Sequence, residues 1–510
     1  MTKNKNVTLL KNGNRIVIDP ADKSLRQEIR EILTPVLTYK SKRYLVGLEA
    51  KKAGRKFEET FNQVFILDHR DRVVTAFGMH QKVYDKLTRM GFKVKYKDLA
   101  PHPNPDVFKP YWDRLFDPAK GIELRPGQDE ALIKVLSNQC GRLGCPPGWG
   151  KSFLISMIGL LLPKARIDVI TKRVDVLQQR IFPDLRLNLP SVGIICSKQK
   201  VYDRRIMCIS AGSIHRADGK ADIVIADECH ELAADSYAEK LAVYDNARMF
   251  GLSATHDMRL DNKDMRVEAM FGPLLYEMPY EEAQQHGMVV PIRVHWTDVI
   301  MDMNPASEFD ETVDRKRFGI WRNQYRNELI AADARKYDDD TQVLITCETI
   351  AHMLHLKKLL PDYEVVYAEK GLDPLKRRRY VREGLIPSDF PHMTRERRDK
   401  LTRDFETGKL KKAICNQVWN VGVDFRNLGV LIRADAGGSP TNDIQIPGRA
   451  SRVIEGKDYS VIHDYRDQFD NGFHRKAESR RRIYEKQGWS QVMPPKKKQP
   501  RHIVPDDRGD

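Results

Sequence analysis

The sequence predicts an α/β protein with two parallel-sheet units in tandem behind a small N-terminal α/β domain. Three observations carry this. From about residue 111 to 292, short apolar runs alternate with helical stretches, as in a parallel sheet covered on both faces. The alternation restarts near 341, inside a segment spanning 293–485. Residues 1–110 read instead as short alternating strands around one amphipathic helix. The last stretch, 486–510, is rich in Pro and charge and is expected to be a disordered basic tail.

The elements follow in order. "NQVFILD" and "RVVTAFG" alternate as strands about the turn "HRDR". "MHQKVYDKLTRMG" spaces Val83, Leu87 and Met90 along one side of a helix closed by Gly91. "FKVKYKD" is a strand with its lysines on one face, and the prolines of "PHPNPDVFKP" mark a linker. The next strands are "GRLGC", "RIDVIT", "RIMCIS", "ADIVIAD" and "RMFGLSAT", with helices after Ser152 and over "SYAEKLAVYD". "WTDVIMDMNPASEFDE" is expected to be irregular, and "FGIWRNQYRNELIAADARKY" to form a helix opening the second unit. That unit continues with strand "TQVLIT", helix "IAHMLHLKKLL", and strands "YEVVYAE", "KKAICN", "LGVLIRAD" and "YSVIHDY".

Composition narrows the partner. The 510 residues carry 87 Lys and Arg against 71 Asp and Glu, a net charge of +16 that favours a polyanion, most simply nucleic acid. The seven cysteines contain no Cys-x-x-Cys pair, which argues for reduced thiols in a cytoplasmic compartment and against a disulfide framework or zinc cluster. The start "MTKNKNVTLL" lacks the apolar core of a signal peptide, and "ISMIGLLL" is too short to cross a bilayer.

The chemistry concentrates in "CPPGWGKS", residues 145–152, set between a strand and an apolar helix. Gly148 and Gly150 let backbone N–H groups turn inward around phosphate oxygens. The helix N-terminus adds positive charge, Lys151 reaches the β/γ-phosphates, and Ser152 ligates Mg²⁺. The usual pattern has glycine where Cys145 stands. Downstream, "ADIVIADECH" delivers Asp227 and Glu228 at a strand's C-terminal end, where open α/β sheets bind ligands. Asp227 suits the metal, and Glu228 suits the base that activates water.

With "DECH" at 227–230 and "GLSAT" at 251–255, the chain resembles the superfamily 2 helicases and translocases. "LRPGQDEAL", "ITKRVDVLQQ", "CISAGSIH", "VLITCETIAHMLHL", "NQVWNVGVDF" and "QIPGRASR" match further blocks of that family in order, across roughly 120 to 465. In this family Cys commonly opens the phosphate loop. "LRPGQ", the stretch "FGPLLYEMPYEEAQQHGMVVPIRV" and the small leading domain are similar to the XPB-like translocases and the bacteriophage UvsW-type recombination helicases. Two departures stand out. Ile446-Pro447 precede Gly448-Arg449 where the family has an arginine, and the connection 370–394 is longer than usual.

The resemblance implies two RecA-like motor domains whose sheets face one cleft, and ATP with Mg²⁺. Gln128 reads adenine, and Arg125, Pro147, Trp149, Gly422 and Asp424 join Gly148, Gly150, Lys151 and Ser152 around the nucleotide. Arg449 and Arg452 act as arginine fingers. His230, Ser253, Thr255 and Gln445 couple nucleotide state to the strand, with a His230–Gln445 hydrogen bond expected. Thr171, Lys172, Arg173, Ser210, Ser213, Thr346 and Asn416 grip nucleic acid. The basic run "KRRRYVR" (376–382) and the lysines of "FKVKYKD" are candidate duplex contacts. The implied activity is that of an ATP-driven DNA helicase or translocase, expected to be a monomer, that remodels branched or duplex DNA in replication, recombination or repair. An RNA helicase and a non-hydrolysing ATP-gated clamp are the alternatives.

Overall fold

Along the first two strands, Val7, Leu9, Ile16 and Ile18 alternate inward and are at most 2% exposed. These strands open the computed structural model, which describes residues 5–44, 57–115, 121–146, 148–254, 264–419 and 425–495. The N-terminal strands are β1 (Asn6–Asn12), β2 (Arg15–Pro20), β3 (Thr38–Tyr44), β4 (Phe57–Gln63), β5 (Phe65–Leu67), β6 (Val73–Ala76) and β7 (Lys93–Asp98). Five form a sheet in the order β5-β6-β2-β1-β7, while β3 and β4 pair only with each other. The β1–β7 pair is parallel, and β1–β2, β2–β6 and β5–β6 are antiparallel.

Two helices, Arg26–Leu33 and His80–Arg89, lay Ile29, Leu33, Val83 and Leu87 on this sheet. Met90, expected on the same apolar side, is 44% exposed because the helix ends at Arg89 and Met90 serves as its C-cap. The small sheet is less separate than its sequence suggests. Its apolar residues form one buried cluster with Cys140, Val224, Met249, Val267 and Phe271 of the next sheet and its helices. Lys82 Nζ also reaches Glu268 Oε2 at 2.6 Å, and Asn14 donates to the Tyr244 carbonyl.

The second sheet holds β8 (Cys140–Gly144), β9 (Ile167–Thr171), β10 (Val192–Ile195), β11 (Lys200–Val201), β12 (Ile206–Ser210), β13 (Ile223–Asp227), β14 (Arg248–Ser253) and β15 (Leu274–Glu277). Their order is β11-β10-β12-β9-β13-β14-β8-β15. Only the β10–β11 pair is antiparallel. Every residue of β8, β9 and β12 is buried, as parallel strands covered on both faces require.

The third sheet is wholly parallel and runs β18-β19-β17-β20-β21-β16-β22. Its strands are β16 (Ile292–Val299), β17 (Val343–Thr346), β18 (Glu364–Val366), β19 (Lys412–Cys415), β20 (Val430–Arg433), β21 (Ser460–Asp467) and β22 (Ser490–Val492). Two expectations are corrected here. The start of "WTDVIMDMNPASEFDE" is not irregular, because it completes β16, whose residues pair with β21 from Ile292 to Val299. The expected tail from 486 is not wholly disordered either. Ser490–Val492 adds an edge strand to β16, and Gln491 Oε1 accepts from Trp296 Nε1 at 2.8 Å. The rest of that tail, 496–510, lies outside the described residues.

The long connection 370–394 folds onto this unit. Asp373 caps the helix Pro374–Arg382, and Tyr380, Ile386, Phe390 and Met393 enter the core. Tyr380 is 7% exposed, so the aromatic inside "KRRRYVR" is core, not a stacking platform; Arg378 and Arg382 face solvent.

The chain divides into two compact units. One comprises residues up to Val289 together with Ser439–Val453; the other holds Val290–Trp419, Phe425–Gly438 and the chain from Ile454. All seven cysteines are buried thiols outside any disulfide. Among the described residues, no helix is long and apolar enough to cross a membrane.

Candidate nucleotide site

The phosphate loop leaves β8 and enters the helix Lys151–Leu161, with Gly150 as its N-cap. Gly148 and Gly150 have φ of +96° and +103°, left-handed values that an L side chain resists. A side chain at either position would also displace a neighbouring side chain. A Cβ on Gly148 would lie 2.7 Å from Arg452 Nη1, and one on Gly150 would lie 2.7 Å from Gln128 Nε2.

Gln128 is fully buried and braces the loop from behind. Its Oε1 accepts the Arg125 backbone N–H at 2.9 Å, and its Nε2 donates to the Trp149 carbonyl at 2.9 Å. Arg125 Nη1 donates to the Gly148 carbonyl at 2.8 Å. Trp149 is buried, with its ring centroid 5.8 Å from that of Tyr276. Sequence reasoning missed Tyr276, which sits in an apolar strand that carries no distinguishing signal.

Strand β13 ends at Asp227, and Glu228 turns the chain sharply with φ of +49°. That conformation is uncommon for a non-glycine residue and clusters at functional sites. Lys151 Nζ donates to Glu228 Oε1 at 2.6 Å and lies 3.8 Å from Asp227 Oδ1. Burial alone would lower the Lys151 pKa, but the charges of Glu228 and Asp227 outweigh it and hold the ammonium above its ordinary value. Burial pushes Asp227 up to about 6 against the pull of Lys151. For Glu228, burial is overcome by Lys151, His230 and Arg449, and its carboxyl is held below the usual range.

The far oxygen of Glu228 is also engaged. Gln445 Nε2 donates to Oε2 at 3.2 Å, and Ser253 Oγ donates to it at 3.5 Å. His230 Nδ1 lies 2.7 Å from Ser253 Oγ and 3.4 Å from Glu228 Oε2. The expected His230–Gln445 bond is therefore replaced: both side chains converge on the Glu228 and Ser253 pair. Gln445, Arg449 and Arg452 lie in 439–453, the segment that packs with the first unit. Arg452 is anchored there by a backbone bridge to Val289.

These residues fit a nucleoside triphosphate with a hard divalent cation. Gly148 and Gly150 leave two loop positions without a Cβ, and Lys151 supplies the cation. Asp227 and Ser152 offer oxygen ligands of the type Mg²⁺ takes alongside substrate phosphates. Among the described residues, no group of three or more His, Cys, Asp or Glu side chains could hold a metal ion by itself.

The expected strand contacts fare differently. Thr171, Ser210, Ser213 and Thr346 are at most 5% exposed. Ser210 Oγ donates to Ser213 Oγ at 2.9 Å, and Thr346 Oγ1 donates to the Ile432 carbonyl at 3.4 Å. Their side chains are corrected from strand contacts to buried positions inside the fold. Asn416 is half-buried and accepts from the Val418 N–H at 3.4 Å. Lys172 and Arg173 do face solvent, the latter paired with Glu231 at 2.9 Å. His215, the last residue of "CISAGSIH", and Arg216 are exposed after buried Ile214. Pro147, Thr255, Gly422 and Asp424 lie outside the described residues.

The helicase conserved C-terminal domain matches residues 324–454, and the type III restriction enzyme res subunit matches residues 121–258. Together they span more than half of the chain. The protein named helicase 22 of Sulfolobus islandicus filamentous virus (isolate Iceland/Hveragerdi) is 23% identical over 416 residues, covering 75% of this chain and 71% of the viral one. The general transcription and DNA repair factor IIH helicase/translocase subunit XPB of Danio rerio is 21% identical over 432 residues, covering 77% of this chain. The chain spans 50% of that relative's length. In fold, it is similar to a variant of S. cerevisiae Dbp5 bound to RNA and ADP BeF3, with a TM-score of 0.50 and 14% identity over 76% of this chain and 94% of that one. With a phosphate loop, an acidic strand end and two α/β sheets matching both halves of a helicase motor, the chain belongs to the superfamily 2 helicases and is XPB-like among them.

Proposed function

We propose that the protein is an ATP-dependent DNA helicase or translocase that unwinds or remodels branched or duplex DNA. The observation that carries this reading is the convergence of Lys151, Gln445 and Ser253 on Glu228, with Arg452 against the phosphate loop at Gly148. A carboxylate held by three donors is placed as a general base whose partners change with the nucleotide.

In this mechanism the loop N–H groups and Lys151 bind the triphosphate, which draws the ammonium from Glu228. Asp227 and Ser152 would hold Mg²⁺, which supplies charge neutralisation on the phosphates. Glu228 then orients the attacking water and accepts its proton as the bond to the γ-phosphorus breaks, leaving ADP and phosphate. Arg452, with Arg449, stabilises charge on the transferred group, an effect of about 10³–10⁵ in related reactions. Gln445 and both arginines belong to a segment flanked on each side by residues of the second unit. Loss of the γ-phosphate therefore alters what that segment holds, which is the step converted into movement along nucleic acid.

The net charge of +16 supports a polyanionic track. XPB is by name a subunit of a DNA repair factor, while the Dbp5 structure contains RNA, so an RNA helicase is the direct competitor. The clamp reading would need a degraded site, and Lys151, Asp227, Glu228, Arg449 and Arg452 are all present. ATPase assays with duplex DNA, forked DNA and RNA decide among them. Stimulation by duplex or forked DNA, lost in Lys151→Ala, is expected. Stimulation by RNA alone, or none by either polymer, overturns the proposal.

A further inference from the structure

Strands β3 and β4 form a ribbon that belongs to none of the three larger sheets. They pair antiparallel from Thr38↔Gln63 to Tyr44↔Phe57. Seven residue pairs give a ribbon roughly 23 Å long. Its base is fixed: Val64 N–H donates to the Leu37 carbonyl at 2.9 Å, and Thr75 Oγ1 donates to the Val64 carbonyl at 2.6 Å. The ribbon thus leaves the five-stranded sheet at its edge strand, β5.

Isolated two-stranded ribbons are marginally stable in water, and proteins rarely leave large apolar side chains exposed on them without use. Phe61 is nonetheless 72% exposed, and Ile66, just past the ribbon's base, is 62% exposed. Lys40 stands opposite Phe61 in the register, with its Nζ 5.0 Å from the ring centroid. The other face is tied by a polar set: Asn62 Nδ2 donates to Ser41 Oγ at 2.6 Å, and Ser41 Oγ lies 2.9 Å from Thr60 Oγ1. Strands β3 and β4 themselves carry Lys40, Lys42 and Arg43 against Glu58 and Glu59, with Lys40 Nζ 3.8 Å from Glu59 Oε2.

A stiff two-stranded ribbon has the width that the major groove of a duplex admits. Its cationic side chains match phosphates, and an exposed phenyl matches the apolar base edge. We infer that the β3–β4 ribbon is a duplex-binding arm that enters a groove, with Phe61 as its apolar contact and Lys40 as a phosphate contact. The inference rests on the reading of the protein as a nucleic-acid motor. The competing occupant, a protein strand pairing with the ribbon's open edge, would be served by neither the excess positive charge nor the Phe61–Lys40 pair.

The test uses the full chain carrying Phe61→Ala, Phe61→Tyr or Lys40→Gln. Anisotropy is read with a short blunt duplex and with the equivalent single strand across a salt series, alongside ATPase at saturating DNA. Phe61→Ala should weaken duplex binding about tenfold, the scale of one buried phenyl, with single-strand affinity and saturated ATPase unchanged. Phe61→Tyr should restore most of the loss, and Lys40→Gln should lower the duplex salt slope by about 1. An unchanged duplex affinity in Phe61→Ala, equal losses on both DNAs, or a change in self-association alone overturns the inference. If the unmodified protein binds no nucleic acid and its ATPase ignores it, the motor reading fails first. Phe61 is exposed, so a thermal melt matching the parent shows that each variant is folded.

Discussion

Lys151 Nζ lies 2.6 Å from Glu228 Oε1, a pair whose side chains are only 18% and 23% exposed. The cation that should bind phosphate thus rests on the carboxylate that should activate water. On the proposed mechanism this one contact couples nucleotide binding to release of the base. Glu228→Gln is expected to abolish nucleic-acid-stimulated ATPase while retaining ATP affinity, and Lys151→Ala to lose both. Steady-state turnover with equilibrium nucleotide binding checks this; normal turnover in either variant refutes the coupling.

Asp227 gives a pH dependence. Its carboxyl rises from 3.8 to about 6 because burial outweighs the attraction of Lys151. The folded protein therefore holds this proton more tightly than the unfolded chain, and its contribution to stability falls as pH rises from about 4 to 6. Metal binding runs the other way, since only the carboxylate ligates. Apparent Mg²⁺ affinity should rise about tenfold per pH unit up to about pH 6 and level off above it. Thermal midpoints titrated with Mg²⁺ at several pH values measure this, and a flat response argues against Asp227 as a ligand.

Gly148 sits against Arg452. Gly148→Ala forces a Cβ to within 2.7 Å of Arg452 Nη1 at a backbone φ of +96°. Turnover should drop in this variant as it does in Arg452→Ala, and the two losses should not add, because both displace the same guanidinium. Additive losses in the double variant would separate the two positions.

Gln128 joins the Arg125 N–H to the Trp149 carbonyl. Gln128→Ala leaves the buried Trp149 carbonyl without this bond, at about 1–3 kcal/mol, and frees the part-buried Arg125 N–H. A lowered thermal midpoint together with a raised KM for ATP is expected. A raised KM with no loss of stability would mean that Gln128 acts on the nucleotide alone.

Lys172 is exposed, whereas the hydroxyls of Ser210 and Ser213 bond each other inside the fold. Lys172→Ala should reduce nucleic-acid affinity and lower the salt slope by about 1. Ser213→Ala should instead lower stability with affinity unchanged. The reverse pattern in binding and melting curves would return the hydroxyls to the strand path.

Much of this was legible in the chain itself. Residues 140–144, 167–171 and 206–210 are largely apolar because both faces of a parallel strand are covered, so the pattern survives without tertiary context. Gly148, Gly150, Lys151, Asp227 and Glu228 stood out equally by motif spacing, and the structure brings Lys151 to 2.6 Å from Glu228 and 3.8 Å from Asp227. The end of β16 was hidden because Thr297 and Asp298 break its alternation, and β22 because it is only three residues long. Tertiary structure decided what spacing cannot encode. It set Gln445 on Glu228 and not on His230, buried Thr171, Ser210, Ser213 and Thr346, and fused the N-terminal sheet's core with that of its neighbour. The physical reason is range: strand period and loop chemistry are local, whereas a side chain's partner depends on groups hundreds of residues away.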